Sequence, residues 1–128
     1  MQSEEKEYGV FPDEEEILNI TDELAELLCT TDGYRRYKKH LAALKEQPEV
    51  YQQLNEFRLK NIELQLEKDE HYYEKAEELQ LQYKNILMES VVMDFLTSEQ
   101  RICKLMRKIY DRIALKVNLD VSYMDQNQ

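Results

Sequence analysis

The sequence predicts an all-α fold: an elongated antiparallel bundle of about five amphipathic helices that ends in a long C-terminal helix. Three observations lead to this class. The 128 residues contain only 2 glycines and 2 prolines, whereas a β-sandwich or barrel needs many turns, which use these residues. Hydrophobic residues make up 42% and charged residues 34%, a balance typical of a folded domain. Apolar residues also recur at the helical period along most of the chain.

The first helix is predicted to begin after Asp13, because Glu16 follows at the spacing of a capping box. Thr31 or Asp32 can cap a second helix, and Pro48 suits the first turn of a third. The apolar residues that define the first two helices are Ile17, Ile20, Leu24, Leu27 and Leu28, then Tyr34, Tyr37, Leu41 and Leu44.

The third and fourth helices flank a polar segment, residues 67–70, that contains neither Gly nor Pro. A tight turn and one continuous bent helix both remain open there. Ser90 can cap the fifth helix, and residues 91–117 would span about 40 Å at ~1.5 Å per residue. The stripes of these three helices are Val50, Leu54, Phe57, Asn61 and Leu64; Tyr72, Ala76, Leu79, Tyr83 and Ile86; and Val92, Phe95, Glu99, Ile102, Met106, Ile109 and Ile113.

Charge and periodicity predict three regions: an acidic flexible arm over residues 1–12, the helical bundle over 13–118, and a polar C-terminal tail over 119–128. The net charge is −10, so nucleic-acid phosphates and anionic membranes repel the chain. No apolar run approaches the roughly 20 residues that span a bilayer, and no signal peptide opens the sequence. We therefore expect a cytoplasmic protein without direct nucleic-acid binding or membrane insertion.

The chain offers few groups for catalysis. Neither His40 nor His71 has a glutamate three residues before it, so the Glu-x-x-His pairs of a di-iron bundle are missing. Zinc-protease and phosphate-loop motifs are missing too. Cys29 and Cys103 match no zinc or redox spacing, and their apolar surroundings are typical of inert core cysteines. We therefore expect no enzyme activity, no metal and no cofactor.

Polar residues within the apolar stripes are candidate structural residues. Glu99 either meets water or a lysine at the edge of its stripe, or forms a buried ion pair that fixes the helix register. Arg58, next to Phe57, is the expected partner for such a pair. Asn61 either faces solvent or specifies register or oligomeric state.

The outer face of the fifth helix carries candidate partner-binding residues. At about 100° per residue, five cations and two leucines fall within one sector, on the far side from the apolar stripe. This sector is either a solvated face whose cations balance the charge of nearby acidic helices, or a docking surface for a second copy or another acidic protein. The residues predicted to contact a partner are Arg101, Lys104, Leu105, Lys108 and Arg112.

Several short motifs occur in an order that resembles the YlbF/YmcA family of small bacterial helical regulators, over roughly residues 17–122. Residues 24–28 (LAELL), followed by Tyr34 and Tyr37, are similar to the family's opening helix and short break. Residues 47–49 (QPE), leading to Phe57 and Arg58, are similar to its acid-Pro-Glu…Phe segment. Residues 95–99 (FLTSE) resemble its Phe-Leu-x-Ala-Glu start of the long helix.

The resemblance implies a non-catalytic regulator. Family members form complexes with each other and are tied to competence, sporulation and biofilm control, and to RNA processing through the membrane-anchored endoribonuclease Y. Some carry a cysteine-bearing tail linked to an iron–sulfur cluster, but residues 119–128 contain no cysteine. The partners implied are paralogous family members, a second copy, or endoribonuclease Y.

An alternative function comes from the residues alone. Leu59, Ile62 and Leu66 form a second apolar stripe on the third helix. Such a stripe is either core of a multi-helix bundle or an oligomer face. The alternative is therefore a homo-oligomeric helical scaffold or chaperone-like protein without a dedicated regulatory partner.

Overall fold

In the computed structural model, residues 13–120 and 122–125 are described. Every regular element in these residues is helical, which confirms the all-α class and the long C-terminal helix. The antiparallel arrangement stays a prediction, and the predicted arm, residues 1–12, lies outside the described residues. The elements are α1 (Glu14–Leu28), α2 (Asp32–Lys45), α3 (Pro48–Glu67), α4 (Tyr72–Gln82), α5 (Lys84–Leu87), α6 (Ser90–Val117) and a 3₁₀ helix (Ser122–Asp125).

The chain divides into two compact units, and the boundary falls after Arg35 in α2. The first unit contains α1 and the start of α2. The second contains the rest of α2 and all the later helices. That residues 13–118 act as one bundle domain, and residues 119–128 as a tail, stays a prediction.

In the first unit, α1 begins where the capping box predicts. The Asp13 carboxylate Oδ1 accepts a hydrogen bond from the Glu16 backbone N–H at 2.9 Å, and residues 14–16 place three glutamates in the first turn. Both features stabilise a helix N-terminus. No residue of α1 is buried: Ile17, Ile20 and Leu27 are 54%, 64% and 65% exposed. The apolar stripe of α1 is therefore a surface feature and contributes no buried side chain to the core.

The break between α1 and α2 is closed by Thr31. Its hydroxyl donates to the Leu28 carbonyl oxygen at 2.8 Å and accepts from the Tyr34 backbone N–H at 3.2 Å. Of the two predicted caps, the side chain that bonds the start of α2 is therefore that of Thr31.

The hydrophobic core lies in the second unit, and the stripes predicted for the second, third and fourth helices supply most of it. Leu44, Leu54 and Val92 are fully buried. The Phe57 and Tyr83 rings lie 5.6 Å apart between centroids. Full burial of such side chains contributes about 1.5–3 kcal/mol each. The complete core is Leu44, Leu54, Phe57, Leu64, Leu79, Tyr83, Val92 and Phe95.

The polar segment between the third and fourth predicted helices is a turn, not a continuous bent helix. α3 ends at Glu67, and Lys68 adopts the left-handed conformation with φ 53°. Asp69 organises the turn: its carboxylate accepts from the His71 backbone N–H and from the Lys75 Nζ, each at 2.7 Å. The hydrogen bond from Lys75, followed by that from His71, holds the pKa of Asp69 below its usual value.

The predicted fourth helix is divided in two. Tyr83 separates α4 from α5 with φ −106° and ψ 16°. Helical hydrogen bonds remain on both sides, because the Tyr83 N–H bonds to Leu79 O at 3.2 Å and the Leu87 N–H to Tyr83 O at 3.0 Å. The described residues therefore contain six α-helices, where the pattern predicted about five.

The 28 residues of α6 differ between their two ends. Near the N-terminus Val92, Phe95 and Ser98 are buried, and the Ser98 hydroxyl donates to the Phe95 carbonyl oxygen at 2.9 Å. The predicted cap, Ser90, is instead the first helical residue. Glu89 occupies the N-cap position and makes no side-chain capping hydrogen bond.

The distal part of α6, residues 102–117, is mostly exposed. Ile102 and Ile109 are half-buried, and every other side chain from residue 103 to 117 is exposed. The prediction that Met106 and Ile113 belong to a buried stripe is wrong, since each is 55% exposed. The helix ends at Asn118, which is left-handed with φ 54° and donates its N–H to Ala114 O at 2.8 Å. No helix in the described part of the chain is both long enough and apolar enough to cross a bilayer.

Candidate functional site

The five residues predicted to bind a partner all lie exposed on one face of α6. At about 100° per residue their positions fall within one sector of the helix. Leu105 is accessible between the cations, and Leu115 extends the same sector beyond them. We name Arg101, Lys104, Leu105, Lys108 and Arg112 the basic face.

The basic face belongs to a strongly cationic stretch of an acidic protein. Residues 101–117 contain six basic residues and one acidic residue, Asp111, although the whole chain carries −10. Lys116 lies in the last turn, where a cation is favoured by the helix dipole. This stretch therefore presents a positive surface to any approaching molecule.

A second surface lies on the side of α6 that continues the predicted apolar stripe; its residues were expected to belong to the core, and their exposure was not predicted. It consists of the exposed side chains that continue the line of Val92 and Phe95 beyond the core. The feature of the sequence that could have predicted this exposure is the length of the helix, since α6 has 28 residues and α3 has only 20. A stripe that runs past its neighbouring helices cannot be covered by them over its full length. We name Ile102, Met106, Ile109, Tyr110, Ile113 and Val117 the distal stripe.

The C-terminal end of α6 also forms an open apolar cleft of about 570 Å³. Tyr110, Ala114 and Val117 line one part of it, and Leu119 lies after the left-handed turn at Asn118. The turn therefore brings an apolar residue from beyond the helix next to the last turns of α6.

Glu99 and Arg58 form an ion pair between α6 and α3. The Arg58 Nη2 donates to Glu99 Oε2 at 2.6 Å, and the two side chains are 38% and 26% exposed. The guanidinium carbon also lies 5.5 Å from the centroid of the Phe95 ring. The pair is half-buried, so it is more exposed to solvent than the buried ion pair that was considered from the sequence. Asn61, on α3, is half-buried too.

A charged cleft of about 310 Å³ lies between α3 and α4. Lys60 and Lys75 line it together with Glu63, Glu67 and Glu78. A hydrogen bond to Tyr83 raises the pKa of Lys60, whose ammonium lies 5.3 Å from the Tyr83 ring centroid. The charges of both signs lie side by side, so the cleft has no strong preference for a ligand of one charge.

Both cysteines are exposed and free, so the expectation that they are core residues is wrong. Next to Cys29, the pKa of Tyr34 is raised, chiefly because a charged thiolate and a charged phenolate repel each other. Among the described residues, no group of three or more His, Cys, Asp or Glu side chains could hold a metal ion.

Comparison with known proteins assigns the chain to a family. A family model described as control of competence regulator ComK, YlbF/YmcA, matches residues 17–118. The match begins within α1 and ends just after α6, so it includes both surfaces of α6. No curated protein and no solved structure matches the chain. Because the family model spans most of the sequence, the chain belongs to the YlbF/YmcA family of competence control.

Proposed function

We propose that this protein is a non-catalytic regulatory adaptor that acts through protein–protein contacts made by the basic face. The observation that carries the proposal is an exposed row of cations with accessible leucines on one helix face. Cations steer an acidic partner towards the helix, and apolar side chains between them gain free energy when the partner covers them. The family assignment supports a regulatory role.

The proposed partners are paralogous members of the family, a second copy of this chain, and endoribonuclease Y, in the cytoplasm. Modulation of endoribonuclease Y would give the adaptor an effect on RNA processing and on developmental control. With a net charge of −10, the chain itself is poorly suited to bind RNA phosphates. The adaptor would therefore act on RNA through its partner.

Reversing two charges of the basic face tests the proposal. In Arg101→Glu with Lys108→Glu, we expect at least about a tenfold loss of affinity for a family paralogue or for the cytoplasmic part of endoribonuclease Y, because attraction becomes repulsion. Isothermal titration calorimetry measures this affinity, and circular dichroism checks that the helices persist.

The matched control is Lys38→Glu with Lys39→Glu, which reverses the same number of exposed charges on α2. It should bind as the unmodified chain does. Unchanged affinity in the basic-face variant, with helicity retained, would show that this face does not bind the partner.

A homo-oligomeric scaffold is the second candidate function. It is favoured by the second apolar stripe of α3, because Leu59, Ile62 and Leu66 are all exposed rather than in the core. Ile62→Ser with Leu66→Ser should dissociate such a scaffold in a sedimentation experiment. An oligomer of unchanged size in that variant would contradict the scaffold.

A further inference from the structure

We propose that the outward face of α3 is a second docking surface, which receives a basic amphipathic helix of a different protein. This inference goes beyond the proposed function, because that function uses the basic face of α6 and an acidic partner. Together the two surfaces would let one chain bridge two partners of opposite charge.

The outward face of α3 carries no charge, although it is exposed. At about 100° per residue, one sector of α3 lies on the far side from the buried Leu54 and Phe57, and all six of its residues are exposed and uncharged. A solvated helix face normally carries charged side chains, and charged residues make up 34% of this protein. Depletion of charge from an exposed patch is instead typical of the centre of an interface. We name Pro48, Gln52, Asn55, Leu59, Ile62 and Leu66 the α3 face.

The C-terminal half of the α3 face is apolar. Leu59, Ile62 and Leu66 are 59%, 53% and 74% exposed. They occupy positions i, i+3 and i+7, which are the positions through which one amphipathic helix anchors to another protein surface. Covering these side chains would remove apolar area from water, and this removal favours binding.

A line of four glutamates runs along one edge of the α3 face. On helical geometry they fall within a sector of about 40° next to the face, and all four are exposed. The line and the face begin and end within one residue of each other, so both are about 27 Å long. We name Glu49, Glu56, Glu63 and Glu67 the glutamate line.

Two lysines lie near the glutamate line and balance part of its charge. The Lys60 ammonium lies 5.3 Å from the centroid of the Tyr83 ring, and the Lys75 Nζ lies 4.0 Å from Glu67 Oε1. Four carboxylates therefore face two ammonium groups. The edge keeps a negative charge that a cationic partner can meet.

Charge determines which kind of helix fits the α3 face. A partner with cations beside its apolar residues would place opposite charges along the glutamate line, so the face fits a basic amphipathic helix. On the other edge of the face, Arg58 is already paired with Glu99 at 2.6 Å. This arginine is therefore satisfied without an acidic partner.

The helices of this chain fit the α3 face less well. α1 contains six acidic residues and no basic residue, so the glutamate line would repel it, and two α3 faces would repel each other for the same reason. The basic face of a second copy has the opposite charge. However, a contact between two different surfaces of identical chains produces rings or open filaments. A helix from a different protein forms the contact once and needs no such assembly.

A pair of synthetic peptides tests the proposal on the full chain. The lysine peptide is an amphipathic helix of roughly 18 residues, with leucines at spacings of 3 and 4 and lysines along one edge. The glutamate peptide carries glutamates in place of the lysines. We expect the lysine peptide to bind at least about tenfold more tightly, and its dissociation constant to rise with added salt. Fluorescence anisotropy measures both peptides.

Two variants of the chain locate the binding. Leu59→Ser with Leu66→Ser removes apolar contacts, and Glu56→Lys with Glu63→Lys reverses charges of the glutamate line. Each should raise the dissociation constant of the lysine peptide at least about tenfold. Circular dichroism checks that the helices persist. If the serine variant loses helicity, Ile62→Gln replaces it, since glutamine is a better helix former than serine.

Two controls accompany these variants. Asp22→Lys with Glu26→Lys makes the same change of charge on exposed residues of α1, and it should raise the dissociation constant less than about threefold. The basic-face variant, Arg101→Glu with Lys108→Glu, should still bind the lysine peptide. Failure of the proposed function would therefore leave this inference standing, and the reverse also holds.

Three results would overturn the proposal. The first is an unmodified chain that binds neither peptide, or binds both equally well. The second is an α1 control that weakens binding as much as the α3 variants do. The third is self-association of the unmodified chain in sedimentation that Leu59→Ser with Leu66→Ser abolishes, because a second copy would then occupy the α3 face.

Discussion

Arg58 illustrates how one side chain satisfies a carboxylate within an apolar stripe. Its guanidinium donates to Glu99 at 2.6 Å and lies over the Phe95 ring. A half-buried carboxylate without a donor would lose hydration and gain nothing in return. The charged hydrogen bond replaces that hydration, while the ring contact holds the flat guanidinium in place. Whether the pair also fixes the register of α3 against α6 stays a proposal.

A double-mutant cycle measures how much the interaction between Arg58 and Glu99 contributes to the free energy of unfolding. For Arg58→Met and Glu99→Gln we expect a coupling free energy of about 0.5–1 kcal/mol, the upper range for partly exposed ion pairs. Arg58→Met should cost more than Glu99→Gln, because it leaves a charged oxygen without its donor. Urea unfolding gives the four free energies.

Arg35 and Asp32 provide the comparison pair for this cycle. Their charged atoms are 3.9 Å apart, and their side chains are 71% and 87% exposed. A coupling no larger at Arg58 and Glu99 than at this solvated pair would contradict a stabilising role.

Among the elements, the turn between α3 and α4 depends on an ionised side chain. The hydrogen bonds that Asp69 accepts from Lys75 and from the His71 N–H are stronger when the carboxylate is charged, and they therefore lower its pKa. The unfolded chain therefore binds more protons near the usual pKa of an aspartate, about 3.9. The stabilisation is present above that pH and is lost as the pH falls through the lowered pKa of the folded state.

Asp69→Asn should reveal this dependence. We expect the unmodified chain to have the higher melting temperature at pH 7, and the difference to shrink as the pH falls below about 4. Thermal unfolding followed by circular dichroism over this range measures it, with the exposed Asp94→Asn on α6 as the control. A difference that stays constant down to pH of about 2 would contradict the assignment.

The start of α1 was predictable from the sequence, whereas the break between α4 and α5 was not. The capping box placed the start of α1 correctly, because Asp13 and Glu16 act locally. The segment around Tyr83 contains no Gly or Pro, so the local sequence does not predict that the helix breaks there. There the buried ring packs against Phe57, a contact between residues 26 positions apart. Helix periodicity could predict that Met106 and Ile113 share a face, but not that the chain leaves this face exposed.

At the scale of the whole molecule, side chains of the same type contribute very differently. Leu54 is fully buried, whereas Leu115 is 81% exposed. We expect Leu54→Ala to lower the free energy of unfolding by about 2–5 kcal/mol, since it leaves a cavity. Leu115→Ala should change it by less than about 0.5 kcal/mol. Urea unfolding compares the two, and equal losses would show that the distal end of α6 belongs to the core.

The candidate site was predictable in part at this scale. The sequence places the cations of the basic face in one sector, since a single long helix fixes their relative angles. It could not identify the partner, because the same charges suit any acidic protein. The distal stripe was interpreted as core, since local spacing does not reveal where neighbouring helices end.

The length of α6 has a mechanical consequence. The helix is uninterrupted from its buried N-terminal turns to Val117, so Lys116 lies roughly 32 Å from Phe95 along the axis. A stiff rod of that length acts as a lever: a tilt of about 5° at Phe95 displaces the far end by roughly 3 Å. A small tilt caused by a change of packing around Phe95 therefore becomes a larger displacement at the far end of the helix. That displacement is larger than the range of donor–acceptor distances over which a hydrogen bond forms.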